Sequence, residues 1–156
     1  MQREMRRKDR AGSPADAWRI LEQGEYGVLS TVSHDGQPYA TPLSYCLMDQ
    51  AIYFHCAPEG HKLDNIAAND RVAFCVVGPT QVLAEKFSTA YESAIVFGVA
   101  AAVEGAEKQA ALEALAAKYS PGLAAEAQDY IAKFFSRTKV MRIAVESLSA
   151  KLRPVG

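Results

Sequence analysis

The strongest constraint on the fold is an alternating segment that turns back on itself. In Tyr26 to Ser33, Tyr26, Val28, Ser30 and Val32 share one face, and Leu29 and Thr31 the other. The segment runs into His34-Asp35-Gly36-Gln37, whose Asp-Gly pair signals a hairpin turn. Pro38 to Tyr45 should therefore return antiparallel, with Tyr39, Thr41, Leu43 and Tyr45 on one face. Met48-Asp49-Gln50 is the next turn and Ala51 to Cys56 the next strand, which implies a three-stranded meander. Arg71–Val77, Ser93–Glu104 and Val140–Val145 bring the expected count to about six strands. Gly98 lies inside the long apolar strand and marks a bulge or a close approach by another backbone. Thr80 to Thr89 reads as a loop or a loose helix.

Helical spacing appears in Asp16–Gln23, in a short stretch within Pro58–Asn69 (Leu63, Ile66, Ala67), in Glu107–Tyr119 and in Ala125–Phe135. The expected architecture is a mainly β, six-stranded antiparallel barrel with short α-helices, a single domain over 1–156. Long open strand edges invite aggregation, so closure into a barrel and dimerisation through a sheet face are both expected.

Composition supports this and excludes other classes. At 156 residues, 49% hydrophobic and 22% charged, the chain is neither disordered nor fibrous. Lys+Arg 17 against Asp+Glu 18 provides no general attraction to nucleic acid or acidic membrane. Residues 1–13 read as a basic, solvated arm, and no apolar core follows it as in a secretory signal. Ala94 to Val103 is too short to span a bilayer. Cys46, Cys56 and Cys75 are an odd count without C-x-x-C spacing, which disfavours zinc and disulfides and points to buried thiols and a cytoplasmic location. His34, His55 and His61 lack metal-ligand spacing, so no metal is expected. Nucleophile-elbow, Walker and dinucleotide-binding motifs are absent.

Chemistry concentrates between Tyr39 and Asn65. Pro38 and Pro42 are four apart, so their missing N–H groups face the same edge of an extended strand. That strand is either an outer edge or a wall against a ligand. Beyond it, His55-Cys-Ala-Pro-Glu-Gly-His-Lys62 carries a strand end, a turn and a helix start. Cations in a first helical turn are unfavourable by about 0.3–1 kcal/mol each. A bound anion reverses that sign. Open amides with Gly60, His61 and Lys62 make a phosphate grip, and Asn65, four after His61, adds a donor. The alternative is a solvated His-Lys pair. A phosphate grip beside a strand wall, without a nucleophile–base pair, suits a cofactor that carries its own chemistry, and flavin mononucleotide (FMN) has that shape.

Several segments carry a family likeness: Met5-Arg-Arg-Lys-Asp-Arg10, Gly27-Val-Leu-Ser-Thr31, Gln37-Pro-Tyr-Ala-Thr-Pro-Leu-Ser-Tyr45, Arg71-Val-Ala-Phe-Cys75, Tyr91-Glu-Ser-Ala-Ile-Val-Phe-Gly98 and Ala116-Ala-Lys-Tyr-Ser-Pro-Gly122. The most specific is Ile52-Tyr-Phe-His-Cys-Ala-Pro-Glu-Gly-His-Lys-Leu-Asp64. With them the chain resembles the pyridoxamine 5′-phosphate oxidase-like, FMN-binding split β-barrel superfamily, and most of all its nitroimidazole-resistance group. The resemblance implies a homodimer with flavin at the subunit interface, FMN or another flavin such as FAD. It implies a flavin ring along Tyr39, Ala40, Thr41, Pro42 and Leu43 and along Phe54, His55, Cys56 and Ala57, with the phosphate at His61 and Lys62. His55 would face the flavin or the substrate as the catalytic candidate, and Tyr91 and Ser93 would line the pocket. The implied activity is reduction of a small nitro-aromatic or heterocyclic molecule. The alternatives are a non-catalytic flavin- or heme-binding module and a pyridoxamine-phosphate-type oxidase.

Overall fold

The structure, a computed structural model, describes residues 3–156. Helix α1 (Pro14–Gln23) starts at a reciprocal cap: Ser13 Oγ accepts from the Asp16 N–H at 3.1 Å, and the Asp16 carboxylate accepts from the Ser13 N–H at 2.8 Å. The helix buries Ala17, Ile20 and Leu21. Strands β1 (Gly27–Val32) and β2 (Pro38–Leu43) form the expected hairpin, in register from Gly27↔Leu43 to Val32↔Pro38.

The expected meander ends there. The Ala51–Cys56 strand does not pair with β2. It pairs with the short β3 (Cys46–Met48) and, as β4 (Ala51–Cys56), with the C-terminal strand β8 (Lys139–Arg153). Tyr45 supplies the physical reason. Its side chain is fully buried, its hydroxyl donates to the Leu21 carbonyl, and its ring meets Phe74 edge-on at 4.9 Å. This anchor pulls the chain out of the hairpin before β3 begins.

The remaining elements are α2 (His61–Ala68), β5 (Arg71–Val77), β6 (Gln81–Leu83), β7 (Ser88–Val103), α3 (Gly105–Tyr119) and α4 (Ala124–Phe134). The sheet has eight strands rather than six, in the order β2-β1-β5-β7-β8-β4-β3, with β6 on β7. It is not closed, because β2 and β3 are free ends of that order. Even so, Leu29 of β1, Phe74 of β5, Val96 of β7, Ile143 of β8 and Phe54 of β4 share one core. The sheet therefore wraps round that core as a barrel split between its two ends. A second core joins α3 and α4 to β3, β4 and β8 through Leu112, Leu115, Ile131, Tyr53 and Val140.

Several boundaries differ from the sequence reading. The segment read as loop or loose helix contains β6 and a 3-10 turn, and β7 begins at Ser88 instead of Ser93. Strand β8 runs to Arg153, well past Val145, because its weakly patterned second half lies in register against β7, from Tyr91↔Arg153 onward. The arm is not wholly solvated: Ala11 bridges to Lys151, and the Gly12 N–H donates to the Ala150 carbonyl at 2.9 Å. Residues 1–2 of that arm lie outside the described residues. Gly98 sits at both a register shift and a close approach, since a Cβ there would lie 2.2 Å from the Ala144 carbonyl oxygen. Cys46 is buried and Cys56 and Cys75 half-buried, all free thiols. No helix among the described residues is long and apolar enough to cross a membrane.

Candidate functional site

Strand β2 lies at one end of the sheet order, with β1 as its partner. The Ser33 N–H donates to the Gln37 carbonyl at 3.0 Å, which sets the alternation of the ladder. By that alternation the N–H groups of Tyr39, Thr41 and Leu43 face β1. Pro38, Ala40 and Pro42 face the open edge, where only Ala40 has a donor. The side chains of Tyr39, Thr41 and Leu43 point inward and are half-buried, while Ala40 and Pro42 are exposed.

Helix α2 begins next to this strand. The Tyr39 and His61 rings are stacked, with centroids 4.0 Å apart and planes at 25°. Below that stack, Asn65 is buried and its side-chain amide donates to Thr31 Oγ1 at 3.0 Å. Asn65 is thereby committed to pinning α2 onto β1. The helix start has no side-chain cap, and Gly60 (φ 155°, ψ 171°) adopts a backbone region essentially restricted to glycine. Its carbonyl accepts from Leu63 and Asp64, so the His61 and Lys62 amides stay open at the positive end of the helix. Asp64 in the same turn already meets part of the helix dipole.

One polar atom here lacks a partner. Thr41 Oγ1 is buried without a hydrogen bond, whereas the hydroxyl of its neighbour Thr31 is satisfied by Asn65. An orphan buried hydroxyl costs about 1–3 kcal/mol, so it is a position where a bound molecule has something to gain.

Strand β4 divides its residues between two faces. Phe54 is fully buried in the barrel core, and Cys56 lies half-buried. Burial pushes the Cys56 thiol up, and the nearby Lys62 and Lys139 charges pull against that shift. His55 faces the other way, into a cleft of about 530 Å³ between β4 and the α3–α4 pair. His55 stays exposed to solvent, and partial desolvation beside these mostly apolar walls lowers its imidazole pKa and favours the neutral ring. Ala57 and Gly60 are exposed on the turn between.

The structure thus brings Tyr39 and His61 together at the sheet edge, with Lys62 next to His61 and close to Cys56, and Thr41 two residues along the same face of β2 as Tyr39. It does not bring Tyr91 and Ser93 there within one chain. Tyr91 lies opposite Arg153, with Lys151 6.0 Å from its ring, and Ser93 lies opposite Val77. The α3–α4 cleft is absent from the sequence reading. The sequence signal for it is the apolar Ile131, Phe134 and Phe135 within the Ala125–Phe135 helical stretch.

Comparisons with known proteins follow the same lines. No curated protein matches the chain. Among solved structures, it is similar to a candidate 5-nitroimidazole antibiotic resistance protein from Bacteroides thetaiotaomicron (20% identity, 89% of this chain and 83% of that one, TM-score 0.72). It is similar to an FAD-binding protein from Mesorhizobium loti (23%, 92% and 97%, TM-score 0.70). It is also similar to an FAD- and heme-binding protein from Mycobacterium smegmatis (24%, 91% and 70%, TM-score 0.77). At these identities the likeness establishes the split-barrel fold. The sequence profile described as pyridoxamine 5′-phosphate oxidase matches residues 13–152, nearly the whole chain, and the chain therefore belongs to that family.

Proposed function

We propose that this protein is a flavin-binding oxidoreductase that holds FMN at the β2 edge and reduces a small nitro-aromatic or heterocyclic molecule. The observation that carries the reading is the uncapped α2 start, with the His61 and Lys62 amides open and the helix held against β2 by the Tyr39–His61 stack. Their chemistry fits a phosphorylated ligand with a polar ring system. Lys62 and the open amides bind the phosphate, Thr41 Oγ1 donates to or accepts from the ring or its side chain, and the Tyr39–His61 stack supports one flank. A flavin, when bound, supplies reversible two-electron redox chemistry. Family membership and the flavin-binding neighbours support the cofactor class, and the nitroimidazole-resistance neighbour supports the substrate class.

Purified protein is expected to be yellow, and denaturation should release a species with the absorbance and mass of FMN. A colourless protein that also takes up no added FMN or FAD sinks the reading. Bound flavin that no nicotinamide cofactor reduces, and that passes no electrons to a nitroaromatic compound, would make the protein a flavin carrier.

The functional unit in this reading is a homodimer. The outer face of β5 and β7 is apolar and open to solvent: Val77 is 57% exposed, Ile95 42% and Phe97 37%. The register places Val28, Cys75 and Ile95 in one row and Ala73 and Phe97 in the next, a contiguous patch of the kind a second copy covers. Light scattering on the eluted protein is expected to give a mass twice the 16.9 kDa of one chain. A monomer at micromolar concentration overturns the dimer.

A further inference from the structure

The cleft under His55 plays no part in the phosphate grip. It has His55 of β4 on one side and is walled by Leu112 and Leu115 of α3, Ile131 and Phe134 of α4, and Phe135 beyond it. At about 530 Å³ it lies within the range of pockets that enclose small molecules. Leu123 and Tyr130 stand at its mouth, 49% and 67% exposed, apolar surface with no covering element.

Its polar inventory is short. The Tyr119 hydroxyl reaches the lining but is spent on the backbone of Glu25 and Tyr45. Ser44 and Thr138 contribute hydroxyls, and the Thr138 hydroxyl donates to the Phe134 carbonyl at 2.9 Å. That leaves His55 and the Ser44, Ser120 and Tyr130 hydroxyls as the groups free to orient a guest. Glu126 is the lining residue with a formal charge, and it is exposed. Lys133 and Arg137 stand against the Phe134 ring at 5.3 and 5.1 Å but do not line the cleft. An anionic guest would thus be desolvated without a cation to receive it. A flat uncharged guest has aromatic and aliphatic walls to stack on and an imidazole and a few neutral hydroxyls to hydrogen-bond.

The position is as informative as the lining. Ser44 directly follows Leu43 of β2, and His55 directly precedes Cys56, which lies close to Lys62. The cleft therefore touches the ends of both strands assigned above to the cofactor. We infer that this cleft is the substrate pocket, selective for uncharged, flat aromatic or heteroaromatic molecules, with the exposed His55 as a hydrogen-bonding group on its β4 side. Its role as a substrate pocket rests on the flavin reading; its selectivity for an uncharged guest does not.

Two probes with one ring skeleton test it: uncharged N-phenyl-1-naphthylamine, and 1-anilinonaphthalene-8-sulfonate, which adds a sulfonate. Fluorescence titration of the full chain, as purified and after saturation with FMN, is expected to show one saturable site per chain. The uncharged probe should bind at least tenfold more tightly. Leu123→Glu places a charge at the exposed mouth, and Ala127→Trp fills the space. Each should weaken the uncharged probe at least tenfold, with FMN content per chain and circular dichroism as in the parent. Equal binding of the two probes, absence of a saturable site, or unchanged affinity in a folded Leu123→Glu protein overturns the inference. A protein that binds the probe in this pattern but takes up no flavin sinks the cofactor reading and keeps the pocket. A yellow protein whose probe binding ignores both substitutions does the reverse.

Discussion

Lys62→Ala is expected to weaken FMN binding about 10- to 100-fold and to leave the fold intact. A hydrogen bond to a charged group contributes about 1.5–3 kcal/mol, and each 1.4 kcal/mol is tenfold in affinity. The stability half follows from what Lys62 does in the chain. It is half-buried at the uncapped start of α2, and it makes no salt bridge among the described residues. Removing a cation from a positive helix end is neutral or mildly favourable when no anion is bound. Equilibrium dialysis of parent and variant against FMN, with a thermal melt of the flavin-free proteins, reads both halves. Equal retention of FMN would remove the phosphate from this helix start. A melt that collapses together with binding would make Lys62 structural.

Gly98→Ala is expected to destabilise the protein by about 3 kcal/mol, the upper part of the range for overpacking. The added Cβ would meet the Ala144 carbonyl oxygen at 2.2 Å and the Ala144 carbonyl carbon at 3.1 Å. Both are backbone atoms of β8, so no side-chain rotation relieves the clash. Strands β7 and β8 must separate where the register already shifts. For a chain of this size the loss lowers the thermal midpoint by roughly 6–12 °C. Ala102→Ser, on an exposed position of the same strand, should change the midpoint by at most about 2 °C. A Gly98→Ala midpoint within that same margin would show that β8 can move aside at no cost.

These two residues also mark how far the amino-acid order reaches. Lys62 stood out because a cation in a first helical turn is a local anomaly that needs no knowledge of distant residues. Gly98 stood out as a glycine inside an apolar strand. Its consequence depends on Ala144, which only strand pairing brings near. The same division separates Thr31 from Thr41. Both alternate inward on paired strands, yet one hydroxyl meets Asn65 and the other meets nothing. That difference arises only when α2 packs across β1.

From the sequence alone came the β1–β2 hairpin, the proline-marked edge, the positions of α1, α3 and α4, and a helix start with His61 and Lys62 in its first turn. All of these are set within a few residues by turn chemistry, missing N–H groups, caps and hydrophobic period. Tertiary structure decided that Ala51–Cys56 pairs with the C-terminal strand, that this strand continues to Arg153, and that the sheet stays split between β2 and β3. It also decided that His55 opens into an apolar cleft while Phe54 beside it is sealed in the core. The reason is that strand pairing is non-local. A strand's partner, and the face each residue presents, are set by which distant segment offers matching register and apolar surface, as Tyr45 shows when it is drawn into the core beneath α1.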